Sequence, residues 1–226
     1  MRMCFAYFGA LAMIAAPFVA QAATVTIDVR DASGKSMPDS VVMIDSPKKS
    51  AGPIKFPWPL VMAQQNIMFM PHVLIVPVGA SVAFPNRDRV RHHVYSFSPA
   101  KTFELKLYSG NHASDVVFDK PGIATLGCNI HDWMLGYIVV VDTPYFTKTD
   151  SEGRATLADL PEGDYELRVW HSRLESSREF ISENLKLGGA PVKRSFNVSL
   201  RSADQPNHPP EGLEVGLDAR ASEHAN

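Results

Sequence analysis

The chain has very little cysteine, with 2 among 226 residues. Cys4 lies in a leader-like segment, where a basic start precedes an apolar stretch over residues 5–20 and an A-x-A cleavage site at residues 20–22. The stretch is interrupted by Pro17 and is shorter than the roughly 20 residues of a spanning helix. We predict a signal peptide over residues 1–22 and a periplasmic or secreted protein with no membrane span after cleavage.

Cleavage leaves Cys128 as the single thiol of the mature chain. A lone thiol in an oxidising compartment has no disulfide partner within the chain, and it is open to oxidation unless it is buried or bound to a metal. The sequence therefore excludes an internal disulfide framework and makes the surroundings of Cys128 informative.

The chain also has no large excess of either charge and no long helical periodicity. There are 22 basic and 24 acidic residues, so neither nucleic acid nor an anionic membrane is indicated as a partner. No long stretch has helical periodicity, and 17 Pro and 14 Gly accompany many short apolar runs. These features predict an all-β fold, and a mature length of about 200 residues allows one large or two small β-domains.

One short loop concentrates residues that bind soft metals. Cys128, His131 and Met134 have the spacing C-x2-H-x2-M, between two runs that we expect to be strands. Thiolate and thioether favour Cu(I) and imidazole accepts both oxidation states, so this set with one more histidine suits a single blue copper ion. The alternative is ordinary packing, in which Cys and Met are core groups and the histidine lies at the surface.

The second imidazole is expected from residues 61–143, where short strands and turn signals alternate as in a β-sandwich. His92 and His93 begin one of these strands. They point to opposite faces, and alternation alone leaves both open as ligands.

Two motifs together resemble the cupredoxins, most closely the amicyanin and plastocyanin-like group linked with methylamine utilisation. They are F-P-N-x-D followed by H-H-V over residues 84–94, and C-x2-H-x2-M-x-G-x-I-V-V over residues 128–140. The resemblance implies copper, with His92, Cys128 and His131 as equatorial ligands and Met134 as the axial ligand. His93 takes the place of the family's Asn, which helps to tie the two ligand loops together.

A second resemblance involves the chain on both sides of this region. The pattern T-D-x-x-G…L-P-x-G-x-Y-x-L-x-V over residues 149–169 resembles the carboxypeptidase regulatory-like, transthyretin-like β-sandwich, and the D-x-x-G-K that opens that family stands at residues 31–35. We therefore expect a cupredoxin β-sandwich joined to, or inserted in, a second small β-sandwich. The expected limits are 23–45 plus 144–200 for the second sandwich, 46–60 for a Pro-rich linker, 61–143 for the cupredoxin domain and 201–226 for a disordered tail.

The function that these features predict is one-electron transfer by a monomer that meets redox partner proteins transiently. The alternatives are copper handling and a binding module whose copper is accessory. An enzyme is not expected, because the chain has neither the His-x-His pairs of multicopper oxidases nor a hydrolytic constellation. The remaining histidines are predicted not to bind metal: His72, His112, His171, His208 and His224.

Overall fold

The computed structural model of the protein describes residues 22–45, 56–110, 113–176 and 179–201. These residues form sixteen β-strands and no helix, so the predicted all-β class is confirmed. Most of the predicted signal peptide, nearly all of the predicted tail, and His112, His208 and His224 lie outside the described residues. Within them, no helix is long and apolar enough to cross a membrane.

The strands follow one another in chain order as β1 (Ala23–Asp31), β2 (Val41–Asp45), β3 (Ala63–Gln65), β4 (Met68–Met70), β5 (Val73–Pro77), β6 (Ala80–Val82), β7 (His92–Ser98), β8 (Lys101–Tyr108), β9 (Val116–Phe118), β10 (Gly122–Cys128), β11 (Leu135–Val141), β12 (Tyr145–Lys148), β13 (Arg154–Leu160), β14 (Gly163–Trp170), β15 (Ile181–Leu187) and β16 (Val192–Val198).

Strands β3 to β11 form what we call the inner sandwich. Its main sheet has the order β5-β11-β10-β7-β8, with β5 parallel to β11 and the other pairs antiparallel. The ribbons β3-β4 and β6-β9 cover one face of this sheet, and their apolar side chains, such as Phe69 and Phe118, share a core with sheet residues such as Ile138.

The remaining strands form the outer sandwich, with sheets β13-β1-β16 and β12-β2-β14-β15. β1 pairs with β13 and β16, and β2 pairs with β12 and β14, so the segment before residue 46 does pair with the segment after residue 144, as the sequence predicts. Ile44 of β2 and Tyr145 of β12 are direct partners, and the whole inner sandwich lies between them in the chain. The domain limits themselves stay a prediction.

The two sandwiches share the main sheet of the inner one. In β11, Ile138 and Val140 belong to the inner core, whereas Tyr137, Val139 and Val141 belong to the core of the outer sandwich. The residues of β5 divide in the same alternating way. Burial on both faces explains why β5 and β11 are continuous apolar runs rather than alternating ones.

The predicted linker is described only from residue 56 onward, and this part packs closely. Phe56 stacks on Phe146 of β12 with ring centroids 4.6 Å apart. The Trp58 indole N–H donates to the carbonyl of Ile75 over 2.9 Å. Residues 56 and 58 therefore belong to the packed structure. Phe56 packs against the outer core, and Trp58 packs against both cores.

Candidate metal centre

The loop before β7 is shaped by the side chain of Asn86, which is 5% exposed. Its amide group donates to the carbonyls of Val90 (2.7 Å) and Tyr108 (3.1 Å), and its carbonyl oxygen accepts the backbone N–H of Asp88 (2.9 Å). Asparagine is suited to such turns because its side chain can replace backbone partners. The folded loop delivers His92, the first residue of β7, to the end of the main sheet.

Three of the four predicted ligands meet there. Cys128 is the last residue of β10, and His131 lies in the turn that connects β10 to β11. The Nδ1 atoms of His92 and His131 lie 3.7 Å and 3.5 Å from the Cys128 sulfur. The donor atoms of all three side chains lie within 4.8 Å of one another.

The sulfur–nitrogen distances fit a first-row metal ion, and so do the donor types. With metal–sulfur and metal–nitrogen bonds of about 2.3 and 2.05 Å and angles of about 110–120°, the sulfur and nitrogen would be roughly 3.6–3.8 Å apart. Both observed distances are also those of sulfur–nitrogen hydrogen bonds. Hydrogen bonds between the three side chains thus keep their donor atoms at distances that suit an ion.

Met134 is placed next to this cluster by the ligand turn. Its backbone N–H donates to the carbonyl of His131 over 2.9 Å, which closes the turn. Met134 is 2% exposed and belongs to the same apolar core as Cys128. The resemblance assigns its sulfur as the axial ligand, and this assignment stays a proposal.

The electrostatics of the cluster favour a reactive sulfur. Burial raises the pKa of the Cys128 thiol, but hydrogen bonds from His92 and from the backbone N–H groups of His93 and Ile130 outweigh it, so this pKa is lowered. Burial lowers the pKa of His92, but its contacts with Cys128 and Asp88 outweigh burial and raise it. A lowered thiol pKa favours the thiolate, which is the form that binds metal ions.

His131 is the more accessible of the two imidazoles. His92 is fully buried, whereas His131 is partly exposed and lies 4.9 Å from the His92 ring, measured between centroids. Burial and the nearby charge of His92 lower the pKa of His131, which favours the neutral ring that a metal ion requires. Its exposed edge is the natural contact point with solvent or a partner.

The expectation for the His93 side chain is corrected by the structure. Its Nε2 lies 2.7 Å from Glu104 Oε1 on the opposite face of β7, and it does not bridge the ligand loops. The bridge is made by the backbone instead, since the His93 carbonyl accepts the N–H of Asn129 over 3.0 Å. A backbone bond does not depend on whether Asn or His occupies this position.

Two other histidines are described away from the cluster. The His72 ring contacts the carbonyl of Leu135 through Nδ1 at 3.1 Å, and His171 Nδ1 accepts the N–H of Arg173 at 3.1 Å. Among the described His, Cys, Asp and Glu side chains, only His92, Cys128 and His131 form a group that could hold an ion.

Sequence reasoning gave no role to Asp88, although it is part of the F-P-N-x-D motif. Its Oδ2 lies 2.8 Å from Nε2 of His92. A carboxylate four residues before a candidate ligand histidine was the available signal, because ligand histidines commonly hold a carboxylate through their second nitrogen.

Comparison with known proteins gives structural similarities only. No model of a known protein family matches the chain, and no curated protein matches it. Similar solved structures include a purple cupredoxin from Nitrosopumilus maritimus, with 24% identity over 36% of this chain and 98% of that one and a TM-score of 0.33. A copper-containing nitrite reductase from Thermus scotoductus SA-01 has 26% identity over 42% of this chain and 25% of its own length, with a TM-score of 0.35. A reduced mutant form of amicyanin has 23% identity over 44% of this chain and 98% of its own, with a TM-score of 0.33. The function proposed below depends on the ligands of this chain, not on these similarities.

Proposed function

We propose that the protein is a periplasmic blue copper protein that carries single electrons between partner proteins, with one ion held by His92, Cys128, His131 and Met134. The observation that supports this proposal most strongly is the convergence of two Nδ1 atoms on one buried thiol sulfur, at 3.5 and 3.7 Å. Two imidazoles and a thiolate with a weak thioether suit copper in both oxidation states. Copper supplies a reversible one-electron redox centre when it is bound.

The protein's own contribution is to keep these ligands fixed. His92, Cys128 and Met134 are at most 3% exposed, and each lies at a strand end or in a hydrogen-bonded turn. A site whose ligands cannot move imposes one geometry on both oxidation states, so little reorganisation accompanies electron transfer. Four protein ligands around one ion would leave no coordination position for a substrate, which favours a carrier over an enzyme.

Electrons would enter and leave through the partly exposed side of the cluster. His131 is the least buried of the four proposed ligands, and the next residues along the ligand turn, Asp132 and Trp133, are exposed and partly exposed. Partners would dock there transiently, as expected for a monomeric carrier.

The first test is copper loading of the chain from residue 23 onward. We expect one equivalent of Cu(II) to give an intense visible charge-transfer band and a reversible one-electron reduction. Cys128→Ser should lose the band, because the thiolate that gives rise to it is gone. A wild-type protein that binds copper without this band would overturn the blue-copper proposal.

A second measurement separates electron transfer from copper handling. The reduced protein is mixed either with a small redox mediator or with a Cu(I) chelator, and the two rates are compared. A carrier should exchange electrons much faster than it loses copper. Faster copper loss would support the copper-handling alternative instead.

A further inference from the structure

Asp88 is a buried carboxylate that contacts His92 on the side away from the cluster. Its side chain is 5% exposed and that of His92 is fully buried, and Oδ2 and Nε2 are 2.8 Å apart. A carboxylate can only accept at this position, so Nε2 carries the hydrogen and donates it. In the neutral ring that a metal ion requires, the Nδ1 atom is then left with its lone pair facing Cys128, whereas in the protonated ring Nδ1–H donates to the Cys128 thiolate.

Asp88 is itself fixed by a turn from an earlier part of the chain. Its Oδ1 accepts the backbone N–H of Asn66 (2.6 Å), and its Oδ2 accepts that of Ile67 (3.0 Å) in addition to His92. Both turn residues have positive φ angles, 57° and 54°. Such a conformation is unfavourable for a β-branched residue such as Ile67, so the surrounding contacts must hold it in place.

The same turn also contacts the other ligand loop. The indole N–H of Trp133, in the turn between His131 and Met134, donates to the carbonyl of Ile67 over 3.2 Å. The turn at residues 66–67 therefore joins the loop that carries His92, through Asp88, to the loop that carries the other three proposed ligands.

We infer that Asp88 is a positioning residue of the metal site, which fixes the orientation of His92 and favours the more highly charged ion by its buried negative charge. This inference rests on the metal site proposed above. A fixed carboxylate stabilises Cu(II) more than Cu(I), because the oxidised ion carries one more positive charge. Removing that charge should therefore raise the reduction potential.

The neighbouring strand position offers a matched control. His93 and Glu104 form a histidine–carboxylate pair with a similar distance, 2.7 Å, but the Glu104 side chain is 52% exposed. Glu104→Gln removes the same charge and weakens the same kind of pair at the protein surface. Water screens such an exposed pair, whereas the Asp88 pair is shielded.

The test compares wild type, Asp88→Asn and Glu104→Gln. Asn keeps the shape and one acceptor oxygen of Asp88 but removes its charge. In Asp88→Asn we expect the preference for Cu(II) over Cu(I) to fall at least tenfold, which raises a one-electron potential by about 59 mV. In Glu104→Gln we expect less than a fivefold change, in the range of ~1 kcal/mol that exposed pairs contribute.

A redox-inert probe tests the positioning role separately. Zn(II) affinity, measured by chelator competition, should fall about 10–100-fold in Asp88→Asn, as for other groups that hold a ligand histidine. It should remain near the wild-type value in Glu104→Gln. In the Zn(II)-loaded wild type, the Nε2 proton of His92 should give a slowly exchanging NMR signal that broadens in Asp88→Asn.

The outcomes separate this inference from the proposed function. If the two variants shift potential and Zn(II) affinity equally, Asp88 has no special role, although the copper site stands. If wild type shows no blue copper band but Asp88→Asn alone loses Zn(II) affinity, the proposed function fails and the positioning role remains. Thermal unfolding of the metal-free variants checks that both are folded, and an unfolded Asp88→Asn is replaced by Asp88→Ser for the same measurements.

Discussion

The ring of Tyr95 lies against the backbone of Gly127, immediately before the candidate ligand Cys128. A Cβ at Gly127 would stand 2.7 Å from both the Cζ and the hydroxyl oxygen of that ring. On the other side of the ligand turn, a Cβ at Gly136 would stand 2.8 Å from the Cβ of Phe69 and 2.9 Å from its Cγ. The ligand turn is thus bounded by two glycines that aromatic side chains cover.

Gly136→Ala should destabilise the protein more than Gly127→Ala. Phe69 is 2% exposed and would clash near its own backbone, whereas Tyr95 is partly exposed and would clash only at the far end of its ring. We expect a loss of about 1–3 kcal/mol for Gly136→Ala, as for other overpacked cores. Denaturant unfolding of the metal-free proteins measures both losses, and equal losses would contradict the prediction.

His92→Ala should abolish the blue copper band, whereas His93→Ala should retain it. The Nδ1 of His92 faces Cys128, but the His93 side chain contacts Glu104 on the other face of the strand. The loop-tying bond of His93 comes from its backbone carbonyl and survives the substitution. Visible spectra and Cu(II) titration decide, with less than about a tenfold affinity loss expected for His93→Ala. A lost band in His93→Ala alone would reverse the ligand assignment.

Met134→Gln should lower the reduction potential and Met134→Leu should raise it. An amide oxygen is a harder ligand than a thioether and favours Cu(II), whereas leucine offers no donor. Each shift should reach about 59 mV, a tenfold change in the preference between the two ions. Voltammetry measures it, and Met70→Leu, at a methionine that is 46% exposed, is the control. A potential unchanged in both Met134 variants would remove Met134 from the ligand set.

His171 should make the protein less stable in acid. Burial, together with the charge of Arg173, lowers its pKa from 6.5 to about 4. The unfolded chain then binds the proton more readily than the folded one, so stability falls as the pH drops from 6.5 towards 4 and is unaffected above. The expected loss is up to ~3 kcal/mol. Urea unfolding of the metal-free protein at pH 7 and pH 4.5 measures it.

His171→Asn is the matching variant, because an amide can still accept the N–H of Arg173 but does not titrate in this range. It should lose most of this acid sensitivity. If wild type and His171→Asn lose the same free energy between the two pH values, another group is responsible.

The outer sandwich shows how much of the fold can be predicted from sequence patterns. In β1, Val25, Ile27 and Val29 are buried and alternate with partly exposed residues, as the period of two predicts. The long-range pairing of β1 and β2 with strands after residue 144 is what the resemblance of the split D-x-x-G-K and T-D-x-x-G patterns to a single β-sandwich family implies. The continuous runs in β5 and β11 indicate burial on both faces, but they do not tell which layer covers the second face.

The metal centre, too, is predictable from the sequence only in part. The ligand types are visible in the spacing of residues 128–134, but the same three residues also fit core packing, and only the second motif over residues 84–94 favours a metal site from sequence. The four-residue spacing of Asp88 and His92 is a signal for their contact, but the way Asp88 is held is not visible, because it depends on a turn formed 21 and 22 residues earlier. A positive φ at Ile67 runs against the preference of a β-branched residue, so no local rule predicts that turn.

The pairing of Ile44 with Tyr145 has a consequence for how the chain folds. About 100 residues separate these two partners, and closing so long a segment from an unfolded chain costs about 3 kcal/mol more conformational entropy than closing a hairpin loop of four residues. If the inner sandwich forms first, it holds its own two ends close together and β2 meets β12 without that loss. An ion that stabilises the inner sandwich would then increase the fraction of chains in which these two ends are already close. The pairing of β2 with β12 would be faster as a result.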